Sequence, residues 1–208
     1  TILILDFGSQ VTQLIARRLR EIGVFCEIHP YDYPIEKLKQ RAPKGIILSG
    51  GPSSVNDKQA PLRDVRELGE IAPMLGICYG MQLLAMGYGG IIRRAERREY
   101  GSKQVSWTGK KMGDLPTNQP VWMSHGDILE VPPPGFTVVA RSESGHAAAM
   151  ESERAWAVQF HPEVARSGHA VLASDAFFPF PDSIEVAAKA GIRAGDRVRH
   201  YAPRAQAQ

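Results

Sequence analysis

Apolar and polar positions follow two rhythms along this chain. Ile2 to Leu5 is a continuous apolar run, as expected of a parallel strand covered on both faces. Asp6-Phe7-Gly8-Ser9 reads as the turn after it. Val11, Leu14, Ile15, Leu19 and Ile22 then recur at helical spacing, with Arg17, Arg18, Arg20 and Glu21 largely opposite. Gly23 supplies the stop. Val24 to Ile28 reads as a second strand, and Pro34 heads a short helix over Ile35-Glu36-Lys37-Leu38. Gly45 to Leu48 is a third strand, ending in Ser49-Gly50-Gly51-Pro52-Ser53-Ser54. Asp64 to Glu70 has helical character, and Met74 to Ile77 is a fourth strand.

Strands alternating with helices predict an α/β fold: a doubly wound, mostly parallel sheet with flanking helices. In such sheets ligands bind at the carboxyl ends of the strands. The informative loops at Asp6, Gly50 and Cys78 all fall there. After Gly89-Gly90 the rhythm changes. Arg93 to Tyr100 is strongly charged, and Lys103 to Trp107 alternates as a hairpin strand would. Val121-Trp122-Met123 leads into Ser124-His125-Gly126-Asp127. Phe136 to Ala140, Ala147 to Met150 and Ala155 to Phe160 are further short strands, the last running into His161-Pro162-Glu163-Val164. These predict a small antiparallel extension. The expected organisation is one domain over residues 1–170 and an atypical tail over 171–208.

Composition narrows the class. With 208 residues, 43% of them hydrophobic, the chain can bury one sizeable core. A net charge of +3 is too mild to suggest nucleic acid as a general partner. The two cysteines, Cys26 and Cys78, offer neither a metal-binding spacing nor a disulfide framework, which fits a reducing compartment. No apolar run approaches the roughly 20 residues that span a bilayer. The start of the chain shows no basic lead-in or cleavage site. The expectation is a soluble, cytoplasmic domain with no membrane partner.

The chemistry centres on Gly76-Ile77-Cys78-Tyr79-Gly80, the thiol counterpart of a Gly-x-Ser-x-Gly nucleophile elbow. Gly76 and Gly80 leave room for a strained strand-to-helix turn. A helix starting at Tyr79 would aim free N–H groups and a positive dipole end at the sulfur, favouring the reactive thiolate. Cys26, inside a strand, reads as core. A thiolate nucleophile needs a base and a group to orient it. His161 and Glu163 suit these roles, because a two-residue offset puts both on one side of an extended segment.

The elbow Gly76 to Gln82 with the distant His161-Pro162-Glu163 resembles the class I (triad) glutamine amidotransferases. Ile4 to Gln10, Leu48 to Ser53, Glu96 to Gly101 and Trp122 to Asp127 narrow the likeness to the amidotransferase domain of GMP synthases, over roughly residues 1–165. The resemblance implies a flavodoxin-like sheet and a glutaminase of purine (GMP) biosynthesis. Cys78 would attack the glutamine carboxamide, His161 would carry the proton and Glu163 would orient the imidazole. The Gly51 and Tyr79 N–H groups would form the oxyanion hole, and Gln82, Ser124, Gly126 and Asp127 would hold the glutamine. The ammonia would serve amination of XMP on an ATP pyrophosphatase (synthetase) partner. No cofactor is expected in this chain; ATP and Mg would belong to that partner.

Some features point elsewhere. Ser49 to Ser54 is superficially similar to the Ser-Gly-Gly-Val-Asp-Ser phosphate loop of ATP pyrophosphatases, but Pro52 and Ser53 replace its Val and Asp, which argues against nucleotide binding. His125 stays outside the triad, its motif serving substrate and domain contacts in the family. His29, His146, His169 and His200 show no partner pattern and read as loop or surface residues. Residues 171–192 resemble a fragment of the bifunctional AICAR transformylase/IMP cyclohydrolase, too short to build that enzyme's site. Val171, Leu172, Ala176 and Phe177 read as a short docking helix, with a mobile arginine-bearing end after Gly191. Two alternatives remain: a catalytically idle docking subunit, and a class I amidotransferase serving another acceptor such as anthranilate or carbamoyl phosphate synthesis.

Overall fold

A computed structural model of the chain describes residues 1–108 and 117–164. Strands β1 (Ile2–Asp6), β2 (Cys26–Pro30), β3 (Gly45–Leu48) and β4 (Met74–Ile77) alternate with helices α1 (Thr12–Glu21), α2 (Ile35–Arg41) and α3 (Val65–Ile71). Helix α4 (Tyr79–Gly87) follows β4 at once. Strands β5 (Ile91–Trp107), β6 (Asn118–Val131), β7 (Thr137–Ser142), β8 (Ala147–Glu151) and β9 (Ala155–Val158) complete the sheet, and a 3-10 turn spans Pro162–Val164. The strand order is β2-β1-β3-β4-β9-β8-β7-β5-β6. The β2-β1-β3-β4-β9 block is parallel, and the remaining pairings are antiparallel.

The sheet is covered on both faces where it is parallel. Leu3 and Leu5 point to one side, with Leu38, Leu68 and Leu84 from α2, α3 and α4. Ile4 points to the other, where Ile15, Ala16 and Leu19 of α1 cover it. Burying one such Leu or Ile stabilises the fold by roughly 1.5–3 kcal/mol, which is why these runs read as unbroken apolar strings. Helix α3 begins as its sequence suggests, with Asp64 accepting from the N–H groups of Arg66 (2.9 Å) and Glu67 (3.2 Å).

The structure differs from the sequence reading in detail. The second strand runs from Cys26 to Pro30 rather than from Val24. The charged stretch Arg93–Tyr100 lies inside β5, and Ser124–Asp127 lies inside β6, so the antiparallel ribbon is longer than expected. Its strands carry polar residues on an open face while Val105, Trp107, Val121 and Met123 are buried. The ribbon is also bulged. Arg94 pairs with Asp127 and Glu99 with His125, leaving Ala95 to Arg98 opposite Gly126. The docking helix expected near 171–177 and the tail lie outside the described residues.

Glycine is required where β4 turns into α4. A Cβ on Gly80 would sit 2.3 Å from the Leu48 carbonyl oxygen, and one on Gly76 would sit 2.6 Å from the Gly80 backbone. Helix propensity alone would make Gly80→Ala a gain of about 1 kcal/mol. The backbone clash reverses the sign, and we expect a loss of about 3 kcal/mol or more in urea unfolding.

Candidate functional site

The carboxyl ends of the central parallel strands converge on Cys78. This residue caps α4 with φ 51° and ψ −104°, a left-handed conformation rare for a residue with a Cβ. Its N–H donates to Val158 O at 2.8 Å, and the Gly80 N–H donates to Ser49 O at 3.1 Å. The strained turn is thereby bonded to the strand ends on both sides. Cys78 is 4% exposed. Its Sγ lies 3.7 Å from the Ser124 carbonyl oxygen and 3.7 Å from Gln159 Nε2.

His161 enters from the end of β9, its N–H donating to Trp122 O at 2.8 Å. Its Nδ1 lies 2.8 Å from Glu163 Oε1. The contact is made across the Pro162–Val164 3-10 turn, not along an extended segment as the spacing suggests. Burial disfavours the imidazolium of His161, but hydrogen bonds with Cys78 and Glu163 outweigh it and raise the pKa to about 10. A glycine is needed between the imidazole and the thiol: a Cβ on Gly50 would sit 2.9 Å from His161 Cε1 and 3.7 Å from Cys78 Cβ.

A cavity of about 340 Å³ opens over the thiol, lined among others by Gly51, Cys78, Tyr79, Gln82, Ser124 and Asp127. Every residue that the sequence marks for substrate or oxyanion contact lines it; His161 and Glu163 are not among the lining residues. Among the described residues, the N–H groups of Gly51 and Tyr79 donate to no other protein group. The Tyr79 hydroxyl is anchored to Pro61 O at 3.0 Å and pushed up to about 12 by burial, so it stays neutral. Gln82 spends both amide hydrogens inside the protein, on Asp127 O and Gln159 Oε1, each at 3.3 Å. It therefore offers a ligand only its oxygen. Asp127 is likewise part-committed, one carboxylate oxygen accepting from the Ser54 hydroxyl.

Sequence reasoning passes over some of this. Gln159 falls in a stretch that reads as apolar strand, although it sits two residues before His161 and so shares its side of the chain. Glu99 is 3% exposed; its Oε1 accepts from Ser142 Oγ at 2.8 Å, and its Oε2 lies 3.1 Å from His125 Nε2. That last contact meets ion-pair distance without hydrogen-bond alignment. His29 does have partners: its Nε2 lies 2.9 Å from Glu27 Oε2, and its ring stacks on Tyr33. His146 lies in the described part, half-buried; His169 and His200 fall outside it. Among the described residues no group of three or more His, Cys, Asp or Glu could hold a metal ion, and no helix is long and apolar enough to cross a membrane.

The profile of the glutamine amidotransferase class-I family matches residues 3–178. A GMP synthase [glutamine-hydrolyzing] of Bdellovibrio bacteriovorus is 55% identical over 166 residues, covering 80% of this chain and 33% of the relative. That of Nitratidesulfovibrio vulgaris is 50% identical over 175 residues, with the same coverages of 80% and 33%. The chain thus spans about a third of the length of the curated relatives it matches. Among solved structures, a putative GMP synthase subunit from Thermoplasma acidophilum superposes with TM-score 0.75 at 29% identity. That match covers 90% of this chain and 96% of the other. A glutamine amidotransferase of Thermotoga maritima shares the fold, with TM-score 0.67 at 24% identity over 92% of this chain and 85% of that one.

The site yields two expectations. Burial raises the pKa of Cys26, whose Sγ donates to Ala16 O at 3.5 Å, whereas Cys78 faces the cavity. A glutamine-like diazo-ketone should therefore label Cys78 alone in peptide mass mapping, and labelling should vanish in Cys78→Ala. For Glu99, burial would raise the pKa, but the close His125 ring and the Ser142 and Ser144 hydroxyls overcome it and hold the carboxyl at about 2, against 4.5 ordinarily. A depressed folded-state pKa stabilises above the unfolded value, and that stabilisation is lost as pH falls toward the folded one. The stability difference between wild type and Glu99→Gln should shrink between about pH 5 and pH 3 in urea melts.

Proposed function

The chain belongs to the class-I glutamine amidotransferase family, and from that premise we propose that it hydrolyses L-glutamine to glutamate and ammonia through Cys78, His161 and Glu163. The observation that carries the reading is the strained thiol at the N-terminus of α4, beside an imidazole whose far nitrogen is held by a buried carboxylate. Nδ1 of His161 is occupied by Glu163, so Nε2 is the nitrogen left to exchange a proton with the thiol.

The reaction follows from this geometry. Cys78 Sγ attacks the side-chain carboxamide carbon of glutamine as His161 holds the thiol proton. The carbonyl oxygen becomes an oxyanion, for which the unspent N–H groups of Gly51 and Tyr79 are available; one such donor is worth roughly a hundred- to thousandfold in rate. Collapse breaks the C–N bond, the departing nitrogen takes the proton from His161, and ammonia leaves a glutamyl thioester. Water, giving a proton to His161, then cleaves the thioester to glutamate and restores the thiol. Gln82 Oε1, Ser124, Gly126 and Asp127 line the space where the glutamine would lie.

The acceptor reading rests on the relatives. Curated relatives similar over this region are named GMP synthase, and the match fills about a third of each. One of the similar solved structures is itself a putative GMP synthase subunit, of nearly the same extent as this match. We read the ammonia as destined for amination of XMP to GMP on an ATP pyrophosphatase, supplied by another domain or another subunit.

Members of a catalytic unit lose activity non-additively. His161→Ala should cost nearly as much glutaminase activity as Cys78→Ala, and the double variant little more. Glu163→Ala should be milder, because it orients rather than reacts. Steady-state ammonia release, with and without an ATP pyrophosphatase synthetase, measures all three; no release by wild type under either condition would leave the chain a docking subunit.

A further inference from the structure

A second carboxylate–imidazole pair lies under the cavity, away from the proposed triad. Glu99 on β5 and His125 on β6 face each other across the ribbon, their side chains 3% and 2% exposed. Ser142 on β7 donates to Glu99 Oε1. It meets the carboxylate and not the imidazole, so the three residues do not make a nucleophile–base relay. The other ring nitrogen, His125 Nδ1, lies 3.0 Å from the Asp127 carbonyl oxygen.

The proton positions follow from these contacts. A carbonyl oxygen only accepts, so Nδ1 carries a hydrogen. Nε2 faces a carboxylate oxygen at 3.1 Å in a dry site, at ion-pair distance. The ring is hydrogen-bonded at one end and meets a carboxylate at the other. Beside the bulge, where the ladder shifts register between Arg94 and Glu99, the Asp127 carbonyl accepts from His125 and from Gln82 together. Gln82 uses its second hydrogen on Gln159 Oε1. That contact sets which way round the Gln159 amide sits: its oxygen toward Gln82, its N–H toward Cys78 Sγ at 3.7 Å.

We propose that the buried Glu99–His125 pair is a positioning device for the nucleophile, acting through Asp127 O, Gln82 and Gln159 to keep an N–H donor aimed at the Cys78 sulfur. A donor at that sulfur favours the thiolate over the thiol. Without the pair, Asp127 O keeps its place in β6 but loses the ordered donor beside Gln82, the two amides are held less firmly, and a flipped Gln159 presents an oxygen that repels the thiolate. The groups that face Glu99 and His125 are Ser142 and Ser144 from β7 and the turn after it, and the Asp127 carbonyl from β6. The exposed pair Lys103 and Glu143 also feels the charge on Glu99.

The kinetic benefit of this device rests on the glutaminase reading, so its test avoids turnover. The second-order rate of Cys78 alkylation by iodoacetamide is followed against pH in four proteins: wild type, Glu99→Gln, Gln159→Met and the double variant. Each single substitution should move the pH midpoint of alkylation upward and slow the reaction near neutrality about tenfold, the scale of a hydrogen bond to a charged group. The double variant should be no slower than the slower single, because one residue acts through the other. Loss of folded protein would expose Cys26 as well, and shows as Cys26 labelling in peptide mass mapping rather than as a shift confined to Cys78. An unmoved midpoint in Glu99→Gln, or additive slowing to about a hundredfold in the double variant, overturns the proposal. If Glu99→Gln does not fold, Ser142→Ala replaces it, with a smaller shift expected that must disappear in the Gln159→Met background. A wild type that shows the coupled alkylation but releases no ammonia would sink the glutaminase reading and leave this one standing.

Discussion

The turn at Cys78 is the constraint from which the site's geometry follows. A residue with a Cβ held at φ 51° costs on the order of 1–3 kcal/mol and persists only where its surroundings over-determine it. Here they do. β4 lies between β3 and β9, and the turn that follows it bonds to both neighbours, through Val158 O and Ser49 O. Those bonds place the loop after β3, with Gly50 and Gly51, on one side of the sulfur and the end of β9, with Gln159 and His161, on the other. The Gly51 and Tyr79 N–H groups, the Cys78 thiol and the His161 imidazole are thus brought together by one parallel register, Leu48 beside Gly76 and Gly76 beside Ala157.

How much of this is legible in the sequence depends on whether the cause is local. The parallel strands, their helices and the elbow follow from apolar runs, helical periodicity and glycine, all readable within a few residues. Arg93 to Tyr100 resists because its charge hides a strand whose stability comes from pairing with β6, a partner far along the chain. Glu99 resists for the same reason: nothing near it in sequence explains a carboxylate that is 3% exposed, since its partners arrive on β6 and β7. Gln159 is within reach of sequence reasoning. A polar residue closing an apolar strand, on the same side as His161, is a reason to suspect a role in the site.

The two histidines show why spacing alone does not assign a role. His161-Pro162-Glu163 and His125-Gly126-Asp127 both place an acid two residues after the imidazole. In the first, a 3-10 turn folds the carboxylate back onto Nδ1, leaving the ring's other edge for the thiol. In the second, the chain stays in β6, and the ring meets the Asp127 carbonyl while the Asp127 carboxylate goes to Ser54. The carboxylate partner of His125 comes instead from the neighbouring strand. One imidazole keeps a nitrogen open toward the thiol, and the other has an acceptor close to each nitrogen.

The burial of so many polar groups where the β5–β6 ribbon meets α4 and the end of β9 has its own consequence. Gln82, Glu99, His125, Asp127 and Gln159 are all buried, and each meets another of the set directly or through a backbone carbonyl. In a low-dielectric interior a polar group that loses its partner bears its full desolvation cost, so such a network resists partial rearrangement. Stiffness is what a short-lived tetrahedral adduct needs, because donors fixed in advance need no reorganisation as charge develops. The same stiffness ties the ribbon of β5 and β6 to the nucleophile.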